Sequence, residues 1–257
     1  MPSSDRKPIG EQLDYWKKQL SGDLPTLAVA NYQQQSPEAP FRRMSQAFEL
    51  PISTSADLKA LSRQEHTTLY VTLLTAFKIV LRRYTVGETN PLVGIPVAGR
   101  RGNGPEGIGG FFVNTLALRT DLSGARSFLE ALRRVHRVVQ EAYYLKDLPL
   151  NRLVEELRVE SALTGGPLVQ VTFILKDTPN QPLGIPGLLG LALSAAEIDA
   201  WERGSHLNLV IEDKNTGLVG TLEYNADLLD EDTVSHLLDQ YLSILSRAAA
   251  RPRGIIE

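Results

Sequence analysis

Apolar positions along the chain alternate between two periods, and each change of period marks a new element. Within Gly10–Leu20 the residues Leu13, Trp16 and Leu20 recur at spacings of three and four, which predicts a short amphipathic helix stopped by Gly22. From Ser55 onward Leu58 and Leu61, then Tyr70, Leu73, Leu74, Phe77, Val80, Leu81 and Tyr84, predict two consecutive helices. Thr67 or Thr68 suits the cap of the second, whose apolar stripe is wide enough for a core position. Phe128, Leu132, Val135, Val139 and Ala142 mark another helix, with Arg133, Arg134, Arg137 and His136 on its outer side. Pro149 fits a first helical position and opens a short helix burying Leu150, Leu153, Val154 and Leu157. The last helix is predicted over Asp230–Ala249, with Asp230 as cap, Glu231 and Asp232 favouring its N-terminus, and Pro252 ending it. Its inward residues are Val234, Leu237, Leu238, Tyr241, Ile244 and Leu245.

Between the helices lie strand patterns. Leu92–Val97 and Phe111–Leu118 read as buried strands joined by a glycine-rich loop, Gly99–Gly110. Leu168–Leu175 is nearly continuous in apolar residues, the pattern of a strand covered on both faces and central in its sheet. Leu207–Glu212 and Leu218–Tyr224 flank the turn-rich Asp213–Gly217 and predict a hairpin. Leu24–Phe41 and Thr178–Gly190, rich in proline, read as irregular stretches. The interleaving of helices and strands, with no internal repeat, predicts an α/β fold with helices packed on a mixed β-sheet.

Composition agrees with a folding chain. Of 257 residues 42% are apolar and 22% charged, which excludes disorder and fibrous repeats. The formal net charge of −3 with dispersed basic residues leaves no electrostatic footprint for nucleic acid or an anionic membrane. Absence of cysteine removes disulfides, thiolate nucleophiles and zinc–sulfur sites. Met1–Gly10 is polar where a signal peptide needs an apolar stretch, and no apolar run matches a bilayer span, so a cytoplasmic location is expected.

Candidate chemistry is sparse. Gly102, Gly104 and Gly107 satisfy a dinucleotide-type G-x-G-x-x-G, with Asp121 downstream, but Pro105 interrupts the loop and a strand rather than a helix follows. His66, His136, His206 and His236 are isolated from one another, so no helical pair of metal ligands exists and no metal is expected. Ser205 beside His206 is not a nucleophile–base pair, because such partners meet in space and not by adjacency. Asp177, Asp199, Glu212 and Asp213 read as solvated carboxylates. The residues alone give a soluble α/β domain with no catalytic constellation.

Several ordered stretches nonetheless resemble one family. LYVTLLTAFKIVLRRYT (Leu69–Thr85), VGIPVAGR (Val93–Arg100) and GIGGFFVNTLALRTDL (Gly107–Leu122), together with LDYWKKQLSG, LKDLPLNRLVEEL, PLVQVTFIL and LVGTLEYNADLLD, are similar to the condensation domain of nonribosomal peptide synthetases over nearly the whole chain. The resemblance implies a fold like chloramphenicol acetyltransferase, two lobes around a tunnel in which the amine of one carrier-bound thioester attacks the carbonyl of another. The family's H-H-x-x-x-D-G motif, whose second histidine handles the amine, lies in the N-terminal lobe. This sequence contains neither an adjacent histidine pair nor an Asp-Gly dipeptide. It is therefore expected to be a single C-terminal lobe over residues 1–257, with a leading helix and extended loop over 1–54 and the main lobe over 55–257.

By position the resemblance places a floor loop at Ile95–Gly110, including Gly99, Gly107, Gly109 and Gly110, and a latch at Thr178–Trp201. Asn114 and Thr115 of the F-V-N-T stretch, and Arg100 closing P-x-A-G-R, are the tunnel-lining candidates; ordinary sheet hydrogen bonding and an exposed loop arginine are the alternatives. No catalytic residue is assigned. Departures occur where H-Q-D-x-P-F has become Leu145, Lys146, Asp147, Leu148, Pro149, Leu150, and where R-D-x-S-x-x-P-L has become Ser161 to Leu168. The expected function is a partial condensation domain, inactive alone in peptide-bond formation and retained as a structural or interaction module. The alternative is half of a split or truncated domain, active once an N-terminal lobe docks. No cofactor is bound directly; the phosphopantetheine arm of a carrier protein is implied. The implied partners are the missing N-terminal lobe, adenylation and peptidyl carrier domains, or a second copy in a homodimer.

Overall fold

The structure, a computed structural model, describes residues 8–27, 42–86, 90–100, 111–157, 168–176, 205–214 and 216–256. In chain order the elements are α1 (Ile9–Gln19), β1 (Thr26–Leu27), β2 (Arg43–Glu49), α2 (Ile52–Gln64), α3 (Leu69–Leu81), β3 (Thr85–Val86), β4 (Leu92–Arg100), β5 (Phe111–Arg119), α4 (Phe128–Tyr144), α5 (Leu150–Leu157), β6 (Val171–Lys176), β7 (Leu207–Lys214), β8 (Gly217–Asn225) and α6 (Glu231–Ala250). The main sheet has six strands in the order β2-β8-β7-β6-β4-β5, and β1 pairs with β3 apart from it.

β6 is parallel to both β7 and β4, and the remaining pairs of the main sheet are antiparallel, so the sheet is mixed as the order of elements predicts. The strand expected to be central is central: Val171, Phe173, Ile174 and Leu175 of β6 are all buried. The predicted hairpin forms, tighter than the sequence suggests, with Lys214 opposite Gly217. Gly217 has φ +124°, a backbone angle that glycine reaches without steric penalty. β4 and β6 share the single register pair Gly94–Thr172. At Gly94 an added Cβ would overlap the side chain of Val169, so the close approach needs glycine.

α3 is buried on every side from Tyr70 to Leu81, because it packs on α2, α4 and α6 while Tyr70 and Phe77 reach the sheet. A run of ring contacts fixes it there: Tyr70 to Phe173 of β6 at 5.0 Å, Phe77 to Tyr241 of α6 at 6.0 Å, and Tyr241 to Phe48 of β2 at 6.0 Å. Such rings bury large apolar areas and add edge-to-face attraction. Trp16, Leu20, Leu27 and Phe48 belong to the same apolar core, so residues 16–27 pack with the rest of the described fold.

Caps match the sequence. Thr68 Oγ1 accepts from the Val71 amide at 3.2 Å, and Asp230 Oδ1 from the Thr233 amide at 2.7 Å. Pro149 is one residue earlier than expected: its carbonyl accepts the Leu153 amide at 3.1 Å, which makes it the capping residue and Leu150 the first of the helix. His136 is half-buried rather than exposed, and burial lowers its pKa. Within Leu24–Phe41 the structure adds the short strand β1, whose Leu27 amide donates to Gln170 Oε1 at 2.9 Å. The Gly102–Gly107 motif, most of the loop up to Gly110, the latch stretch 178–201 and residues 161–167 lie outside the described residues.

Candidate functional site

The candidate residues gather on the β4–β5 hairpin. Its register puts Val97 opposite Asn114, Pro96 opposite Thr115, Gly99 opposite Phe112 and Arg100 opposite Phe111. Arg100 and Gly99 are thus the last residues of β4, with Arg100 about 10 Å along the strand from the rung of Asn114 at the usual rise per residue. Gly107, Gly109 and Gly110 lie outside the described residues.

Asn114 and Thr115, neighbours in sequence, point to opposite faces of the sheet, as strand alternation requires. Asn114 is 3% exposed and faces the core with Leu116 and Leu118. Its amide nitrogen donates to the carbonyls of Lys146 and Leu148, both at 2.8 Å, and its oxygen accepts the amides of Leu150 at 3.1 Å and Thr115 at 2.9 Å. Both donors and the oxygen are committed to backbone, so Asn114 fastens the turn between α4 and α5 to β5 and caps the start of α5. Trp16 completes the grip by donating from Nε1 to the Leu145 carbonyl at 3.1 Å. The turn so held is Leu145–Pro149, the stretch in which the family's H-Q-D-x-P-F pattern is altered. At its surface Tyr144 and Asp147 are exposed, while Lys146 Nζ lies 4.1 Å above the Tyr143 ring and donates to its hydroxyl.

The other face of the sheet carries a polar row in which Thr115 is joined by Thr172 and Asn208, two residues that the sequence did not single out. A Cβ placed on Gly94 would lie 3.2 Å from Thr115 Cγ2 and 3.5 Å from Thr172 Cγ2, so Thr115, Gly94 and Thr172 are contiguous on that face. Thr172 in turn donates its hydroxyl to Asn208 Oδ1, which also accepts from Ser205 Oγ. Thr172, Asn208 and Ser205 are buried, and two hydroxyl donors on one amide oxygen fix its orientation. The signal available in the sequence was a single polar residue, Thr172 or Asn208, inside an otherwise apolar run. Ser205 donates to Asn208, and burial shifts the neighbouring His206 imidazole down and favours its neutral form.

A further buried group escaped the sequence reading. Lys78, inside the apolar run of α3, has no exposed surface and donates from Nζ to the carbonyls of Pro91 at 2.9 Å and Leu118 at 2.6 Å. Burial pushes its pKa down to about 7. Its bonds reach both arms of the β4–β5 hairpin at the end away from Arg100. Among the described residues no cluster of three or more histidine, aspartate or glutamate side chains is placed to hold a metal, and no helix is long and apolar enough to cross a membrane.

A six-stranded mixed sheet with packed helices is an α/β fold that solved structures share. The X-domain from teicoplanin biosynthesis superposes with a TM-score of 0.75 at 22% identity over 97% of this chain and 56% of that one. A four-domain nonribosomal peptide synthetase bound to AMP and glycine gives 0.73 at 21% identity over 95% of this chain and 19% of that one. The condensation-domain model matches residues 4–256. A linear gramicidin synthase of Brevibacillus parabrevis is 39% identical over 96% of this chain and 5% of its own length. Phosphinothricin tripeptide synthetase PhsB of Streptomyces viridochromogenes is 36% identical over 94% of this chain and 20% of its own. The chain belongs to the condensation-domain family of nonribosomal peptide synthetases, and it spans a small part of these curated relatives.

Proposed function

We propose that these 257 residues are the C-terminal lobe of a condensation domain, that alone they form no peptide bond, and that they serve a synthetase as a structural and interaction module. The observation that carries this reading is a family match across residues 4–256 in a sequence without adjacent histidines. Without such an imidazole nothing takes up the proton of an attacking amine. The chain's 56% share of the X-domain chain supports a one-lobe reading. In this reading Thr115 and Arg100 border the tunnel, Asn114 acts behind it by holding the Leu145–Pro149 turn, and Gly99 begins the floor loop that continues to Gly107, Gly109 and Gly110. The partners are an N-terminal lobe, adenylation and carrier domains in the cytoplasm, with thioesters delivered on a phosphopantetheine arm; a second copy is the other candidate to cover the lobe-facing surface. The test presents the purified chain with two aminoacyl thioesters on carrier proteins. No peptide is expected, and condensation by the chain unaided would refute the reading.

The intact core favours a second version of the same proposal, in which the lobe is half of an active site. Catalysis here depends on positioning two thioesters, and that does not demand one continuous chain. Added N-terminal lobe from a condensation domain then binds and restores condensation. Absence of binding at micromolar concentration in a sedimentation or scattering series rejects it and leaves the inactive module.

A further inference from the structure

Residues 251–256, which follow α6, border a surface pocket. After α6 the chain turns at Gly254, whose amide donates to the Arg251 carbonyl at 2.9 Å, and runs across the start of α4. Pro252 accepts the Leu129 amide at 3.2 Å, Ile255 bridges Ser127, and the Ile256 amide donates to Arg126 at 3.0 Å. These backbone bonds fix the segment as the lip of a pocket of about 510 Å³. Phe128 and Ile244, both buried, form its floor, and Arg247, Arg251, Ile255 and Ile256 stand around it.

Two independent features mark this pocket. Ile255 is 75% exposed although its backbone is held in place, so a large apolar side chain is displayed at the rim. Arg247 and Arg251 are exposed and, among the described residues, form no ion pair; the same holds for Arg126 and Arg253 on the adjoining backbone. Glu130, in the first turn of α4, is engaged by the Arg126 amide at 2.7 Å. A local cluster of uncommitted arginines on a chain of net charge −3 is a specific patch and not a general basic character. A tract of phosphates would use the arginines and leave the apolar floor and Ile255 idle, whereas an acidic polypeptide with one bulky apolar side chain uses both.

We propose that the pocket between α6 and the start of α4 docks an acidic protein segment, its carboxylates on Arg247 and Arg251 and one apolar side chain on Phe128, Ile244 and Ile255. Charge complementarity sets the approach, and burial of the anchor side chain holds the segment in place. The site stands independently of the proposal that the chain is a single lobe, because it lies within this chain.

The experiment titrates the full chain with a fluorescein-labelled decapeptide of aspartate and glutamate carrying one central leucine, followed by anisotropy. Binding is expected to weaken by about tenfold or more in the Arg247→Glu, Arg251→Glu double variant, as for lost interfacial charge pairs, and to weaken with salt. Ile255→Ser, a change at an exposed position, is expected to weaken binding without altering the salt response. Circular dichroism melts of each variant keep loss of binding distinct from loss of fold. No binding at millimolar peptide, equal binding of a peptide with serine for leucine, or equal or tighter binding of a single-stranded oligonucleotide overturns the proposal. Self-association abolished by the arginine variants also overturns it, since a second copy is then the occupant.

Discussion

The amine of Lys78 lies 2.6 Å from the carbonyl oxygen of Leu118 and 2.9 Å from that of Pro91, at a position with no exposed surface. Burial favours the neutral amine and brings the group from 10.5 to about 7 in the folded chain. The unfolded chain therefore holds a proton that the folded chain lacks between those two values, and folding stability rises with pH through that window. The penalty is complete below about 7 and gone above 10.5. A pKa unit is worth about 1.4 kcal/mol, so the rise is on the order of 5 kcal/mol. Urea midpoints measured from pH 6.5 to 10 should climb in the native chain and flatten in Lys78→Met; an equal slope in both would reject this account.

Asn114→Ala removes the side-chain bonds that tie the carbonyls of Lys146 and Leu148 and the amide of Leu150 to β5. The carbonyl of Leu148 and the amide of Leu150 lose a buried partner, and such losses cost about 1–3 kcal/mol each. Unfolding should become easier by about 2–4 kcal/mol in denaturant, and amide exchange should quicken first in α5. A variant whose α5 amides remain as protected as before would show that the turn holds itself.

Tyr70 carries a buried hydroxyl with no hydrogen-bond partner among the described residues, and burial raises its pKa well above the ordinary value. The ring itself is held by Phe173 at 5.0 Å. Tyr70→Phe keeps the ring contact and deletes the unsatisfied group, so it should stabilise the fold by about 1 kcal/mol. A melting temperature lowered by this substitution would point to a bound water at the hydroxyl.

A Cβ on Gly220 would overlap the ring of Phe48, which stands across the β2–β8 pair. Gly220→Ala should destabilise by about 1–3 kcal/mol through overpacking. Adding Phe48→Leu frees the space, so the double variant should be more stable than the sum of the two single changes implies. Strict additivity in a double-mutant cycle would mean that the ring moves aside freely.

The sequence disclosed what depends on local pattern. Thr68 and Asp230 were readable as caps because each hydroxyl or carboxylate acts three residues away. The 207–225 hairpin and the central β6 were readable because turn residues and burial on both faces leave a trace in composition. Lys78 was hidden by its setting: in a helix buried on all sides polar residues mark no outer face, and its partners Pro91 and Leu118 lie 13 and 40 residues on. Asn114 was visible only as part of a family motif. Its hold on Lys146 and Leu148, 32 and 34 residues away, needed the fold. The Thr172–Asn208–Ser205 group likewise arises from β6 and β7 lying side by side, a parallel adjacency that no local spacing records.

Among the described residues, β4 and β6 are joined by the one register pair Gly94–Thr172. β2, β8, β7 and β6 are laced together by long registers, as are β4 and β5, but one rung connects the two sets. A twist of β4 and β5 against the other strands is resisted at this seam by that rung and by the packing of Val169, Thr115 and Thr172 around Gly94. Lys78 fixes the pair at its Pro91–Leu118 end, while Asn114, nearer Arg100, ties β5 to the Leu145–Pro149 turn.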